Sequence, residues 1–389
     1  MAYVAARGGE RAILNSEKLY HVLNGELSIE TVRAIRDHLP YLVDRVMGES
    51  SLYAPDLAAL AIAQAGGDLH EAVLLLRAYR STQPRIAYAS AVTADQMLTV
   101  RRISAAFKDI PGGQILGPSL DYSHRLLRMD VLDGGPAPDE AAFVPAEQPA
   151  PPQYPMVADW HRDQGFLPPL PQDTSDPATL ADITKDPLML PAPRAHRLQS
   201  LARADTGGVL ALGYSVMRGY GLSHPTVNEL RLGYADVRLK HPITGEAFSA
   251  GRVRVSQAEV VTEGSGGKSG NHEMRIGFTA TLGWNEVKII AGATLDMAMD
   301  EANPHPAHQE EFVLYHTEAV EASGFCIHFK LPHYVTFASN LDALRGVLAQ
   351  MYGATKDLAA ADTANEADAA PTNPTTTPEP QPVPEATGK

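Results

Sequence analysis

The runs ELRLGYADVRL (229–239), VRVSQAEVV (253–261) and RIGFTATLGW (275–284) decide the fold. Each is rich in β-branched and aromatic residues, and glycine-rich turns separate them, which is the composition of strands lying side by side. Leu230, Leu232, Tyr234 and Val237 mark the first run. The next apolar run, NEVKIIAGATLDM (285–297), reads as a further strand. A mixed, mainly antiparallel sheet is therefore expected in the C-terminal half. Between the second and third runs lies GSGGKSGN (264–271), a flexible hairpin loop whose Lys268 could close over a phosphate, although an exposed loop tip accounts for it more simply.

Outward from the sheet, the N-terminal part is helical. Residues 1–23 form a first helix weakened by Gly8 and Gly9, and 28–47 carry a helical apolar stripe that Pro40 must kink or break. In that stripe, Asp44 and Arg45 read as a structural ion pair or a solvated edge. Pro55 can open a short helix that ends at Gly66 or Gly67. Asp68 followed by Glu71 resembles a capping box for a helix with Arg77 and Arg80 in its last turn, where the dipole favours cations. Residues 86–92 follow as a possible strand. At the other end, Ser339 or Asn340 can cap a final helix with Leu341, Leu344, Val347, Leu348 and Met351 on one stripe.

The fold class is thus α+β: a helical N-terminal part, then a mixed sheet with a final packing helix. Four segments are expected: a mainly helical domain over 1–133, a proline-rich insert and irregular arm over 134–195, an α+β domain over 196–356 and a disordered acidic tail over 357–389.

Composition narrows the functional classes. The 389 residues carry a formal charge of −14, which argues against general nucleic-acid binding, since that requires Lys and Arg to neutralise phosphates. No apolar run is long enough to span a bilayer, the N-terminus does not read as a signal peptide, and the single cysteine excludes an intrachain disulfide. A cytoplasmic protein without a membrane span is expected.

Three stretches carry candidate chemistry. GFCIHFKLPHYVTF (324–337) alternates from Phe325, so that Cys326, His328 and Lys330 share a strand face, and Pro332 turns the chain toward His333. Two imidazoles there supply part of a metal shell, since zinc takes three or four protein ligands. Histidines hydrogen-bonded at a strand end are the simpler reading. His305, His308 and His316 raise the local imidazole density without fixing a geometry. In RRISAAFKDIPGGQILGPSLDYSHR (101–125), Arg101, Arg102 and Lys108 accompany Gly112, Gly113 and Gly117, so the stretch is either a phosphate cradle or a glycine-rich turn beside a positively charged helix. The P-loop spacing is absent. Arg218, His224 and Glu229 bring a cation, an imidazole and a carboxylate within a few residues, which could serve anion binding and acid–base work or be ordinary loop polarity.

YVAARGGERAI, LVDRVMGESSLYAPDLAALAIAQAGGDLHEAVLLLRAYRSTQPR, RRISAAFKDIPGGQILGPSLDYSHRLL, LARADTGGVLALGYSVMRGYGLSHP and FCIHFKLPHYVTF together resemble the PhnI family, the I subunit of bacterial carbon-phosphorus lyase. The resemblance runs from the N-terminus to about residue 352; the proline-rich insert and the acidic tail depart from it. It implies a subunit of a phosphonate-degrading core assembly with G, H and J subunits, two copies of each. With these partners methylphosphonate displaces adenine from ATP at the ribose anomeric carbon, giving ribose 1-methylphosphonate 5-triphosphate. Alone, the subunit acts as a nucleosidase on ATP or GTP. The resemblance also implies Zn2+ on His328 and His333 with further ligands from the J subunit, and no iron–sulfur cluster on this chain. Base departure leaves an oxocarbenium-like ribose, for which Asp121 or Glu229 could supply negative charge and His224 a proton, while Arg101, Arg102, Lys108 and Arg218 could hold the anionic groups. The competing expectation is a non-catalytic scaffold that contributes half of an interfacial zinc site.

Overall fold

The computed structural model describes residues 9–25, 27–135, 154–170, 180–220, 224–264, 273–330 and 334–352. They fall in two compact units, one of Gly8–His328 and one that includes Phe329–Lys389. The expected tail and residues 136–153 and 171–179 of the proline-rich insert and arm lie outside the described residues.

The larger unit begins with α1 (Gly9–Asn24), α2 (Ile29–His38), α3 (Pro40–Ser50), α4 (Pro55–Gln64) and α5 (Leu69–Ser81). Their boundaries follow from local chemistry. The Ser28 hydroxyl accepts the Thr31 N–H and caps α2; Pro40 cannot continue that helix and instead opens α3 at its first position. Asp68 caps α5 by accepting the His70 and Glu71 N–H groups at 3.0 and 3.2 Å. Val43, Val46, Met47, Ala58, Ile62, Val73 and Leu76 close one core between α2, α3, α4 and α5.

After α5, residues 84–93 are irregular, and the strand expected there is β1 (Leu98–Ile103) instead. Arg101 and Arg102 thus stand on a strand, not beside a positively charged helix. Next come α6 (Met129–Leu132), α7 (Val157–Asp163), α8 (Arg194–Arg203) and α9 (Thr206–Ser215), then β2 (Thr226–Lys240), β3 (Ala247–Thr262) and β4 (Arg275–Leu282). The strands lie in the order β1-β2-β3-β4, each pair antiparallel. β1 comes from before the proline-rich insert and pairs with β2, which comes from after it. The expected loop tip with Lys268 lies outside the described residues.

The run at 285–297, expected as a strand, is α10 (Glu286–Met299), which the Asn285 side chain caps by accepting the Lys288 N–H at 3.3 Å. It is buried along almost its whole length, so it shows no polar face and no helical stripe. Leu230, Ala258 and Val260 of the sheet pack on its Ile289, Ala293 and Met297. The approach is close because β4 has Gly277 at the crossing: a Cβ there would lie 1.9 Å from the Ala293 carbonyl oxygen. The opposite side of α10 joins Leu201, Val209, Val313 and Leu314, from α8, α9 and α11 (Glu310–His316).

The unit ends in α12 (Ala319–His328), so Phe325, Cys326 and His328 are helical and not on the expected strand. A five-residue alternation fits a short strand, yet it is too short to exclude the last turns of a helix. The second unit contains α13 (Tyr334–Tyr352), which starts five residues before the expected Ser339 cap and takes in YVTF (334–337) of the segment read as strand; His333 lies outside the described residues.

Candidate functional site

Successive residues of β1 point to opposite faces of the sheet, and this separates the two arginines. Arg102 lies on the face away from α10, opposite Arg231 of β2. There it meets Glu229, whose Oε1 accepts from Arg102 Nε and from Arg231 Nε and Nη2 at 3.0 and 2.8 Å. The other oxygen accepts the Val157 N–H of α7 at 3.1 Å. Backbone carbonyls take the remaining guanidinium nitrogens: Pro111 and Gly113 accept from Arg102 Nη1, Pro155 from Nη2 of both arginines, and Ala94 from Arg231 Nη1. The Tyr154 ring centroid lies 5.3 Å from the Arg102 guanidinium. All three charged side chains are buried.

The glycine-rich stretch has its physical reason here. Arg102 and Ile115 exchange backbone hydrogen bonds of 2.8 and 2.6 Å, which lays the loop along β1. Gly117, at φ +60°, passes so close that a Cβ would sit 2.3 Å from the Val100 carbonyl oxygen. An anion cradle presents N–H groups to its ligand. This loop turns carbonyls toward a cation.

Glu229 and Glu259 are direct cross-strand partners, an arrangement that like charges disfavour. Burial, and secondarily the Glu229 charge, push the Glu259 carboxyl up to about 7. Asn228 donates to Glu259 at 2.9 Å, and its side-chain oxygen lies 3.0 Å from His161 Nε2. The imidazole packs among Phe107, Trp160 and Phe166. Burial pushes His161 down, and its Nδ1 has no hydrogen-bond partner among the described residues. The sequence reading missed Arg231, Glu259, Asn228 and His161. Opposite charges alternating with Leu230 and Leu232 were the signal, but alternation alone assigns such residues to solvent, and only α7 and residues 154–156 bury them.

Arg101, on the α10 face, donates to Asp121, to Glu286 and to the Leu116 carbonyl. Asp121 is half exposed, and the Ser119 hydroxyl with the Arg101 charge holds its carboxyl below the ordinary range. Lys108 is exposed. Arg218 and His224 are both exposed and flank residues 221–223, which lie outside the described residues; Glu229 is not with them but in the buried network. A second, partly buried network, not expected from sequence, joins Arg45 to Glu49 and Asp205, and Thr206 to Glu49. Asp44 instead pairs with Arg254, so Asp44 and Arg45 are not each other's partners.

For zinc, His328 ends α12 on an exposed face, and His333 lies outside the described residues. Cys326 and His328, two residues apart on a helix, face different directions. Among the described residues no group of three or more His, Cys, Asp or Glu converges on a metal-sized space. The described donors therefore do not make a complete shell.

The features so far define an α+β protein in which a four-stranded antiparallel sheet packs on a buried helix and hides an arginine–glutamate network on its other face. A family model described as bacterial phosphonate metabolism protein (PhnI) matches residues 2–351, and the chain belongs to that family. A putative C-P lyase subunit protein HtxH of Stutzerimonas stutzeri is 46% identical over 359 residues, covering 89% of this chain and 95% of that protein. The alpha-D-ribose 1-methylphosphonate 5-triphosphate synthase subunits PhnI of Escherichia coli K12 and Rhizobium meliloti 1021 are 40% and 39% identical, with 88% of this chain covered in each case and 97% and 94% of those proteins.

Proposed function

We propose that this chain is a carbon-phosphorus lyase subunit in phosphonate catabolism. It takes part there in displacing adenine from ATP by methylphosphonate to form ribose 1-methylphosphonate 5-triphosphate. The observation that carries this reading is similarity along nearly the full length of two synthase subunits, 94% and 97% of which are covered. In this reading the chain is a transferase subunit that works in the cytoplasm with G, H and J partners, two copies of each. Alone it releases the base from ATP or GTP, with water as the nucleophile. No described helix is long and apolar enough to cross a membrane, which is compatible with that setting.

Among the candidate residues, Lys108, Arg218 and His224 are exposed, which supports the cations as holders of an anionic group and the imidazole as a proton donor to the leaving base. Asp121 is the more exposed of the two candidate carboxylates. Zinc would be held by His328 and His333 with ligands from the J subunit; an exposed donor at a helix end suits a shell completed by a second chain.

The test is reconstitution with G, H and J subunits, ATP and methylphosphonate, following product by phosphorus NMR. Equal product with this chain omitted would overturn the reading. Adenine release by the chain alone, beside the His328→Ala, His333→Ala double variant with zinc measured by mass spectrometry, separates the metal site from the nucleosidase centre. A scaffold role is the second reading, favoured by the burial of Arg101, Arg102 and Glu229 in internal ion pairs, and no base release by any form of the chain would support it.

A further inference from the structure

Four arginines converge where the ends of α5 and α8 meet. Arg77 donates to the Glu49 carbonyl at 2.7 Å, to the Arg203 carbonyl at 3.3 Å and to Glu318. Arg203 shares Glu318, donating to its other oxygen at 3.2 Å, and reaches the Ile183 carbonyl at 3.0 Å. Arg85 donates to Asp182 and Thr184 at 2.8 and 3.1 Å. Arg80 lies among these three, and among the described residues its one hydrogen bond is from Nη1 to the Ser50 carbonyl.

Arg80 is the odd one out. Arg77 and Arg203 share Glu318 and Arg85 pairs with Asp182, whereas Arg80 makes no ion pair among the described residues. Burial and the like charges of Arg203, Arg77 and Arg85 push its guanidinium down, so Arg80 carries a part-buried charge that no ion pair among the described residues offsets. Arg203 Nε is buried without a hydrogen-bond partner among the described residues. Arg203 also lines a cleft of about 210 Å³ with Asp186, Glu318, Glu321, Leu314 and Tyr315. Its three carboxylates repel an anion, which leaves the Arg80 side of Arg203 as the place where one would be held.

We propose that Arg80, with Arg77, Arg85 and Arg203, binds the polyphosphate chain of a nucleoside triphosphate. Planar guanidiniums with unengaged N–H groups match phosphate oxygens two at a time, and Arg80 has Nε and Nη2 to offer. The nucleotide assignment rests on the proposed function above; the anion site stands on the arginines.

The test uses inorganic tripolyphosphate as probe on the purified full chain, by calorimetry at low and high salt. Binding that weakens with salt is expected, with Arg80→Gln about tenfold weaker, as the loss of a charge-assisted hydrogen-bond pair gives, and Arg128→Gln unchanged. Modification of the wild-type chain by phenylglyoxal, mapped by mass spectrometry, needs no variant to fold: tripolyphosphate should protect Arg80. No protection, or Arg80→Gln binding like wild type, overturns the proposal. Base release from ATP is measured in parallel. Tripolyphosphate binding without base release would keep the site and remove the proposed function, whereas base release with an unchanged KM for ATP in Arg80→Gln would do the reverse.

Discussion

Replacing Glu229 by alanine removes the acceptor of three guanidinium N–H groups and of the Val157 N–H. Arg102 and Arg231 are then left at the bottom of a face where their only other hydrogen-bond partners among the described residues are carbonyls. Both arginines are fully buried, so water cannot replace the carboxylate without opening the cover of α7. Breaking a buried pair in this way costs about 3–5 kcal/mol. Against a total stability of roughly 5–15 kcal/mol, that is a third or more of what holds the fold. The measurement is urea unfolding of wild type, Glu229→Ala and the near-isosteric Glu229→Gln, with the slope required to stay constant so that a midpoint shift reads as stability. Glu229→Gln keeps acceptor capacity but loses the charge, and should fall between the other two. Replacing the whole network together (Arg102→Met, Glu229→Leu, Arg231→Met) should recover most of the loss, because no charge is then left unpaired. A loss below about 1 kcal/mol in Glu229→Ala would refute the closed network. So would a Glu229→Gln variant that melts like wild type yet releases no base, since that pattern belongs to a catalytic carboxylate.

Glu259→Gln should change the pH dependence of stability. The folded carboxyl binds its proton more tightly than the 4.5 of the free group, at about 7, so the stability it contributes is complete below pH 4.5 and is lost as pH rises through 7. The variant should flatten the melting-temperature profile across that window and be more stable than wild type at pH 8, by up to about 3 kcal/mol; an unchanged profile would show that the proton is not held there. Asp44, pushed by burial up to about 6, slopes the same way and sets the residual. Gly277→Ala places a Cβ against the Ala293 carbonyl and Met297, so it should cost about 3 kcal/mol, at the upper end of overpacking, and a midpoint within 1 kcal/mol of wild type would mean that α10 can move away freely. Asp68→Ala removes two hydrogen bonds at the start of α5 and should cost about 1 kcal/mol, with Asp68→Asn restoring most of it in the same assay.

The parts of the fold that were legible in the sequence are those whose cause is local. Pro40, Pro55 and Asp68 act on backbone groups within a few residues, and each sits at the helix boundary expected from it. The misread elements have distant causes. Ile86 and Val92 have as much β character as Leu98 and Val100, and what selects the latter is the edge of β2, with Leu98 opposite Tyr234. α10 looks like a strand because it is buried on every side, which removes the polar stripe that identifies a helix. The site obeys the same rule at longer range. Arg101 and Arg102 announce themselves as cations, but whether a cation is a ligand-binding group or a structural one depends on its acceptors. Those of Arg101 and Arg102 include Glu286 and Glu229, 185 and 127 residues away. Arg80 was the reverse case. Its position in the last turn of α5 accounts for it locally, and nothing nearby in sequence distinguishes it from an ordinary C-terminal cation. Only the fold brings Arg203 up to it and leaves Arg80, alone of the four arginines, without an ion pair among the described residues, and so turns an unremarked helix end into the strongest candidate for holding an anion.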